Sequence, residues 1–258
     1  MPIADFHRRG AAIVLAAHGS NESGAADAYR HVGRAARARY PGREIRWAWS
    51  RSGPASVLAQ LQAEGWRQAA MQPLLAAAGQ QWRELAETSL PGMRIAVGKP
   101  LIALPDDAAP AARAIRGDLR PGAANIVVFH GRRRPRAGPE PFDWLSRECK
   151  ALSPGVFALG VESADARELD SARRCAAECG RAHFIPFLIA AGAHFARDIM
   201  GQGPASLRSL IGAAETTCAQ PLAYNERILS QFWDRLDAAL QALESQPSLA
   251  GPPELPAF

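Results

Sequence analysis

Three residues of this sequence, His130, Glu162 and His194, have types and placement suited to holding a metal ion. His130 ends an apolar run at 125–129, Glu162 ends a second run at 156–161, and His194 follows a third, 182–189, at the mouth of a new helix. If those runs are parallel strands, all three residues fall beyond the carboxyl ends of one sheet, the edge where open α/β sheets gather their ligands. Two imidazoles and a carboxylate make a borderline-soft N/O donor set that suits cobalt, nickel, iron or zinc and leaves coordination positions open. Each residue also has a plainer role available. His130 can hydrogen-bond a neighbouring loop, Glu162 can cap a helix beginning near Ala164, and His194 can start a helix. Their joint placement favours the metal site.

The elements that must position these residues read as alternating strands and helices, the pattern of a parallel sheet. Strands are expected at 11–17, 44–50, 68–75, 94–97, 125–129, 156–161 and 182–189, with a weaker one near Gln220. A helix over 24–40 has Ser20 and Asn21 as capping candidates and is stopped by Pro41-Gly42. Pro54 opens the next helix and Gly65 closes it. Helix 164–179 is closed by Gly180, and 226–243 is the longest helix.

An internal repeat organises the chain. The segment Ile13 through Gly19 matches Ile126 through Gly131, and Gln72-Pro73-Leu74 through Gly79 matches Ile185-Pro186-Phe187 through Gly192, at offsets of 112 and 113 residues. The expectation is an α/β fold of two similar, doubly wound, flavodoxin-like parallel-sheet domains related by duplication. The N-terminal domain is placed at 1–118, the C-terminal domain with the metal site at 119–245, and a proline-rich tail at 246–258. The repeat also acts as a control. His18 matches His130, but Gln81 matches His194, and the equivalent of Glu162 falls at Trp49 or Ser50. Only the C-terminal half keeps a full ligand set.

Arg132, Arg133, Arg134 and Arg136 follow His130 directly. Such a run is ordinarily a solvated loop, but beside a metal site its guanidinium groups suit the carboxylates of an acidic substrate. His18, at a strand end that can face a cleft between the halves, joins them as a substrate-binding candidate, whereas His7, His31 and His183 read as structural or surface residues. The balance of 30 Lys plus Arg against 25 Asp plus Glu, a net charge of +5, is too mild to demand nucleic acid and suits an acidic small molecule. Four cysteines without a CxxC pair fit a reduced, cytoplasmic protein. His7-Arg8-Arg9 before the apolar run 11–17 has the outline of a signal peptide, but the run is short and leads straight into His18-Gly19-Ser20, so it reads as a buried strand. No stretch approaches membrane-spanning length, and no glycine-rich phosphate loop is present.

These residues resemble the sirohydrochlorin cobaltochelatases of the anaerobic cobalamin pathway, members of the class II chelatases that include ferrochelatase. Gln72-Pro73-Leu74 resembles the family's QPL segment, Phe129-His130-Gly131 its GHG segment, and Val161-Glu162 its VEG segment. Ala191-Gly192-Ala193-His194 followed by Asp198-Ile199-Met200-Gly201 is similar to its AGDHA-NDMAG stretch, and Asn225-Glu226 opening the last helix also fits. The resemblance implies two α/β domains with a tetrapyrrole in the cleft between them. It implies His130, Glu162 and His194 as metal-binding and catalytic residues, with His130 as the favoured proton acceptor. Co²⁺ would be substrate, with Fe²⁺ or Ni²⁺ as alternatives, and no cofactor would be tightly bound. The partners implied are a tetrapyrrole and a metal ion, neither nucleic acid nor membrane, with room for a homo-oligomer. The sequence departs from the pattern at Leu75, often histidine in the family, at Ala193, where an acidic residue is usual, and at Gln202-Gly203-Pro204-Ala205, where an acidic loop is usual. Those departures keep a second reading open, a metal or tetrapyrrole carrier with a chelatase fold and no turnover. A third is a hydrolytic metal site.

Overall fold

The computed structural model describes residues 10–19, 23–49, 53–131, 140–162 and 165–245, the side chains of Ser23 and His194 excepted. Ser20 and Asn21, the arginine run at 132–136, and the tail at 246–258 lie outside the described residues.

Eight parallel strands form two four-stranded sheets. The first holds β1 (Ala12–Ala17), β2 (Ile45–Trp49), β3 (Gln68–Pro73) and β4 (Arg94–Val97) in the order β2-β1-β3-β4. The second repeats it with β5 (Ala124–Phe129), β6 (Val156–Gly160), β7 (Arg181–Pro186) and β8 (Glu215–Cys218), ordered β6-β5-β7-β8. The duplication expected from the sequence is therefore present in topology, and this is the start of the flavodoxin-like order. It extends to single bonds: Leu74 N–H donates to Ala16 O at 2.7 Å, and Phe187 N–H to Val128 O at 2.7 Å.

Between the strands run α1 (Ser23–Arg39), α2 (Gly53–Ala63), α3 (Gln80–Ala86), α4 (Ala108–Ala114), α5 (Pro141–Lys150), α6 (Ala166–Cys179), α7 (Leu207–Ile211) and α8 (Glu226–Glu244). Gly180 closes α6 in the left-handed region at φ 70, a conformation free of strain only for glycine.

Strand alternation sets the layers. Ala12, Val14 and Ala16 turn toward Leu58 and Leu61 of α2 and Leu85 of α3. Ile13, Leu15 and Ala17 turn the other way, into a core that also takes Val127 and Ile185 from the second sheet. The far side of the second sheet presents Ile126 and Val128 to Ala172 and Ala176 of α6. Three apolar layers thus cover both faces of both sheets, and the middle one is common to the two halves.

Packing does not follow chain order within that middle layer. Helix α8, which comes last, lies on β3 and β4 of the first sheet, while α4, which precedes the second sheet, packs on α5. The buried stripe of α8, Ile228, Leu229, Phe232, Trp233, Leu236, Ala239, Leu240 and Leu243, has helical spacing. Polar ties flank it: Tyr40 Oη donates to Asp237 Oδ1 at 2.8 Å, and Arg235 donates to Leu101 O at 2.7 Å. Burial, and then the bond to Asp237, push the Tyr40 phenol well above its usual value.

Candidate metal-handling site

The second sheet places His130 and Glu162 side by side. Central strand β5 ends at Phe129 and edge strand β6 at Gly160, and the ladder continues past both: Val161 N–H donates to Phe129 O at 2.9 Å and Glu162 N–H to His130 O at 3.1 Å. Those bonds fix both Cα positions. His130 Nδ1 then lies 3.7 Å from Glu162 Oε2, with the imidazole side chain 48% exposed and the carboxylate 18% exposed. A half-exposed imidazole next to a largely buried carboxylate places one nitrogen and one oxygen donor type side by side at this edge.

Glu162 is not the cap of α6. Asp165 performs that task, its Oδ1 accepting from Arg167 N–H at 2.8 Å. The carboxylate two residues past β6 is thereby left out of helix capping.

His194 opens a six-residue π-helical turn, His194–Ile199, after the loop that follows β7. Such turns are uncommon and concentrate at functional sites. The loop is held by Leu222 N–H donating to Leu188 O at 2.9 Å and Ala223 N–H to Ile189 O at 3.0 Å. At its far end Gly201 approaches the Arg197 carbonyl so closely that a Cβ would collide with it. The side chain of His194 is not among those described. Among the described residues no group of three His, Cys, Asp or Glu side chains that could hold a metal ion is gathered.

The carboxyl edges of the two sheets meet. Gly24, at the start of α1 after β1, sits against Ala191 in the loop after β7; a Cβ on Gly24 would lie 3.3 Å from Ala191 O. His18 is exposed just beyond β1, and its carbonyl accepts from Tyr29 Oη at 2.8 Å. Burial pushes the Tyr29 phenol up to about 12, so it stays a donor at neutral pH.

Strand register corrects one detail of the repeat. Ala17 pairs with Trp49, and its counterpart Phe129 pairs with Gly160, so Trp49 corresponds to Gly160 and the counterpart of Glu162 is Arg51. Arg51 lies outside the described residues. Neither tryptophan nor arginine is a metal ligand, so the asymmetry between the halves stands.

Aromatic residues also gather at this edge. Phe129, next to His130, stacks on Phe142 of α5 with centroids 4.6 Å apart. Trp47 and Trp49 stack on each other beside Tyr29. The i, i+2 spacing of the two tryptophans in a strand was the available signal. His183, read as structural, is buried in β7 with Nδ1 2.7 Å from Thr217 Oγ1. A cavity of about 560 Å³ opens at the other end of the second sheet, lined by Arg120, Asn125, Ser153, Cys175 and Cys179. It adjoins the strands' amino ends and none of the candidate ligands.

Two duplicated parallel sheets thus meet at their carboxyl edges, with a histidine and a glutamate side by side on one of them. Residues 50–241 match the family model described as cobalt chelatase (CbiK), and the chain belongs to that family of metal-inserting enzymes. It is 27% identical over 262 residues to the sirohydrochlorin cobaltochelatase CbiKC of Nitratidesulfovibrio vulgaris, covering 90% of this chain and 91% of that protein. Among solved structures, SirB of Bacillus subtilis with Fe³⁺ superposes with a TM-score of 0.60 at 12% identity, covering 92% of this chain and 98% of that one. The sirohydrochlorin chelatase SirB of Bacillus subtilis subspecies spizizenii, in complex with cobalt, gives 0.56 at 13% identity, with coverage of 92% and 98%. DR2241 of Deinococcus radiodurans, a multi-domain protein with structural similarity to chelatases, gives 0.58 at 20% identity, over 88% of this chain and 55% of that one. At these identities the structural likenesses concern the fold.

Proposed function

We propose that this protein inserts a divalent metal, Co²⁺ first among candidates, into sirohydrochlorin or a related carboxylate-rich tetrapyrrole. The observation that carries the reading is the pairing of His130 with Glu162 at 3.7 Å on the carboxyl edge of the second sheet, in a chain of the cobalt chelatase family. Insertion requires the macrocycle to lose two pyrrole protons as the metal exchanges its waters for ring nitrogens. A protein therefore has to supply temporary ligands and a base on one side of the ring. Glu162 and His194 complete the ligand set with His130; as the ring nitrogens take over the metal, His130 is released to take up one pyrrole proton, as a neutral imidazole can near pH 7, and the second proton passes to solvent. Arg132, Arg133 and Arg134 pair with peripheral carboxylates, and His18 faces the substrate from the first half. The metal is substrate and no resident cofactor enters the scheme.

The repeat units at 1–118 and 119–245 are the domains in this reading, and the enzyme works in the cytoplasm. Among the described residues no helix is long and apolar enough to cross a membrane.

The test is a visible-absorbance assay of purified protein with sirohydrochlorin and, separately, Co²⁺, Fe²⁺ and Ni²⁺, against a no-enzyme control. Acceleration supports the proposal and ranks the metals. A shifted spectrum without turnover supports instead the carrier, the reading that Leu75, Ala193 and the 202–205 loop keep in play. No response to any metal overturns both.

A further inference from the structure

The amino end of the second sheet carries charge that the metal-handling edge does not use. The cavity of about 560 Å³ there is lined by Arg116 and Arg120, by Asn125 and Ser153, and by Cys175 and Cys179 of α6. Asn125 comes five residues before His130 along the chain of β5, or about 16 Å at the rise of a strand. The cavity and the candidate ligands therefore stand at opposite ends of one strand.

The cations at this end have no counterions. Among the described residues no carboxylate comes within ion-pair distance of Arg116 or Arg120. The same holds for Arg181, whose Nη2 would lie 2.8 Å from a Cβ on Gly122, another lining residue. Asp118, two residues from both lining arginines, accepts instead from Asn225 Nδ2 at 3.2 Å. Glu178, near enough to Cys175 to act on its thiol, pairs with none of the three. The uncompensated charge reaches into the sheet: after burial, Arg120 is the next cause that holds the His183 imidazole below its usual value.

The backbone that carries Arg120 is fixed. Asn125 Oδ1 accepts from Arg120 N–H at 2.7 Å, and Asn125 Nδ2 donates to Arg120 O and Ala123 O, both at 3.0 Å. A ligand would therefore meet a guanidinium on a held turn, with no internal ion pair to break first. Leu119 and Leu152 add apolar surface to the same lining.

We propose that this cavity is a second binding site, for a small organic dianion of the phosphate monoester or dicarboxylate kind, held by Arg116 and Arg120 with its carbon body against Leu119 and Leu152. Guanidinium forks match the oxygens of both groups, and a few polar side chains on an apolar concave lining are the usual make-up of a small-molecule site. The site stands apart from the chelatase reading and does not depend on it.

The experiment is calorimetric titration of phenyl phosphate, glutarate and inorganic phosphate, at ionic strength matched with chloride, into the wild type and Arg116→Gln/Arg120→Gln. Alkylation of Cys175 and Cys179 by iodoacetamide, followed by peptide mass, reports whether the cavity is filled. At least one organic probe should bind saturably, slow alkylation of these thiols, and lose about tenfold or more in Kd in the double variant. The tighter of the two organic probes names the class of ligand. The Tm of the double variant should hold, since neither guanidinium has an internal ion pair; if that variant does not fold, Arg116→Gln alone carries the comparison. The proposal is overturned by no saturable binding, by binding undiminished in the folded variant, or by binding that leaves the thiols equally reactive. Inorganic phosphate binding as tightly as both organic probes also overturns it, because the cavity would then be a plain anion cradle.

Discussion

His130 stands where a strand end and a neighbouring carboxylate coincide, so its loss should act on chemistry before stability. His130→Ala is expected to lower kcat by about 10²-fold or more, the usual contribution of a positioned proton acceptor, with the circular dichroism spectrum unchanged. His194→Ala should abolish insertion without unfolding the chain; retained turnover in that variant would remove it from the ligand set. Both positions were legible because short motifs follow apolar runs, and a residue after a strand inherits the strand's edge. The aromatic pairs were harder to see, since Phe142 and Tyr29 reach their partners only through helix packing. His183 makes a different prediction. Burial first, and then the charge of Arg120, hold its imidazole below the ordinary value of 6.5. The unfolded chain therefore binds that proton more readily than the folded one. Its contribution is complete above about pH 6.5 and is lost as pH falls from there through the lower folded value. Urea midpoints should drop between pH 7 and pH 5.5, and His183→Gln should flatten that drop; an unaltered slope would assign the acid sensitivity to other groups.

Helix α8 is where local sequence and long-range packing join. Asn225 accepts from Arg227 N–H at 3.1 Å and Ile228 N–H at 3.2 Å, and its Nδ2 donates to Ala114 O and Asp118 Oδ2, both at 3.2 Å. One side chain thus caps the last helix and ties it to the segment before β5. Asn225→Ala is expected to cost about 1–2 kcal/mol, lowering Tm by about 2–8 °C, while Asn225→Asp keeps the cap but replaces the donated bonds with repulsion from the Asp118 carboxylate. Calorimetry on the two variants separates those contributions. Seven strands and the long helices could be read from apolar runs, capping residues and closing glycines, whereas the polar β8, Glu215–Cys218, lies just before the weak strand expected near Gln220. Helices α3, α4 and α7 could not: five to seven residues give too little periodicity, and the alanine-rich α4 has almost no polar contrast. The ten-residue α5 has signals of its ends in Pro141 at its start and Lys150 in its last turn. An amphipathic stripe, moreover, says that α8 is buried but not against which sheet.

At the scale of the whole molecule, the middle apolar layer decides how two duplicated sheets behave. Ile13 and Leu15 of the first sheet, Val127 and Ile185 of the second, and helices from both halves belong to one cluster of buried residues. Independent domains would each close their own core, and the repeat in the sequence suggests as much. The return of α8 to β3 and β4 couples the two halves instead, because the first sheet's inner face is covered by the last helix of the chain. Unfolding should therefore be one transition, with far-ultraviolet dichroism and tryptophan fluorescence superimposing against urea, and two resolved steps would contradict it. Truncation before Glu226 is a sharper test. Burial of a large apolar side chain contributes about 1.5–3 kcal/mol. The seven large apolar residues among those α8 buries together exceed a typical net stability of about 5–15 kcal/mol at the upper end of that range and take most of it at the lower. A chain lacking 226–245 should lose its near-ultraviolet dichroism throughout, second half included. If the second half of the truncated chain kept a native signal, the two sheets would be separable units and the shared layer an interface between domains.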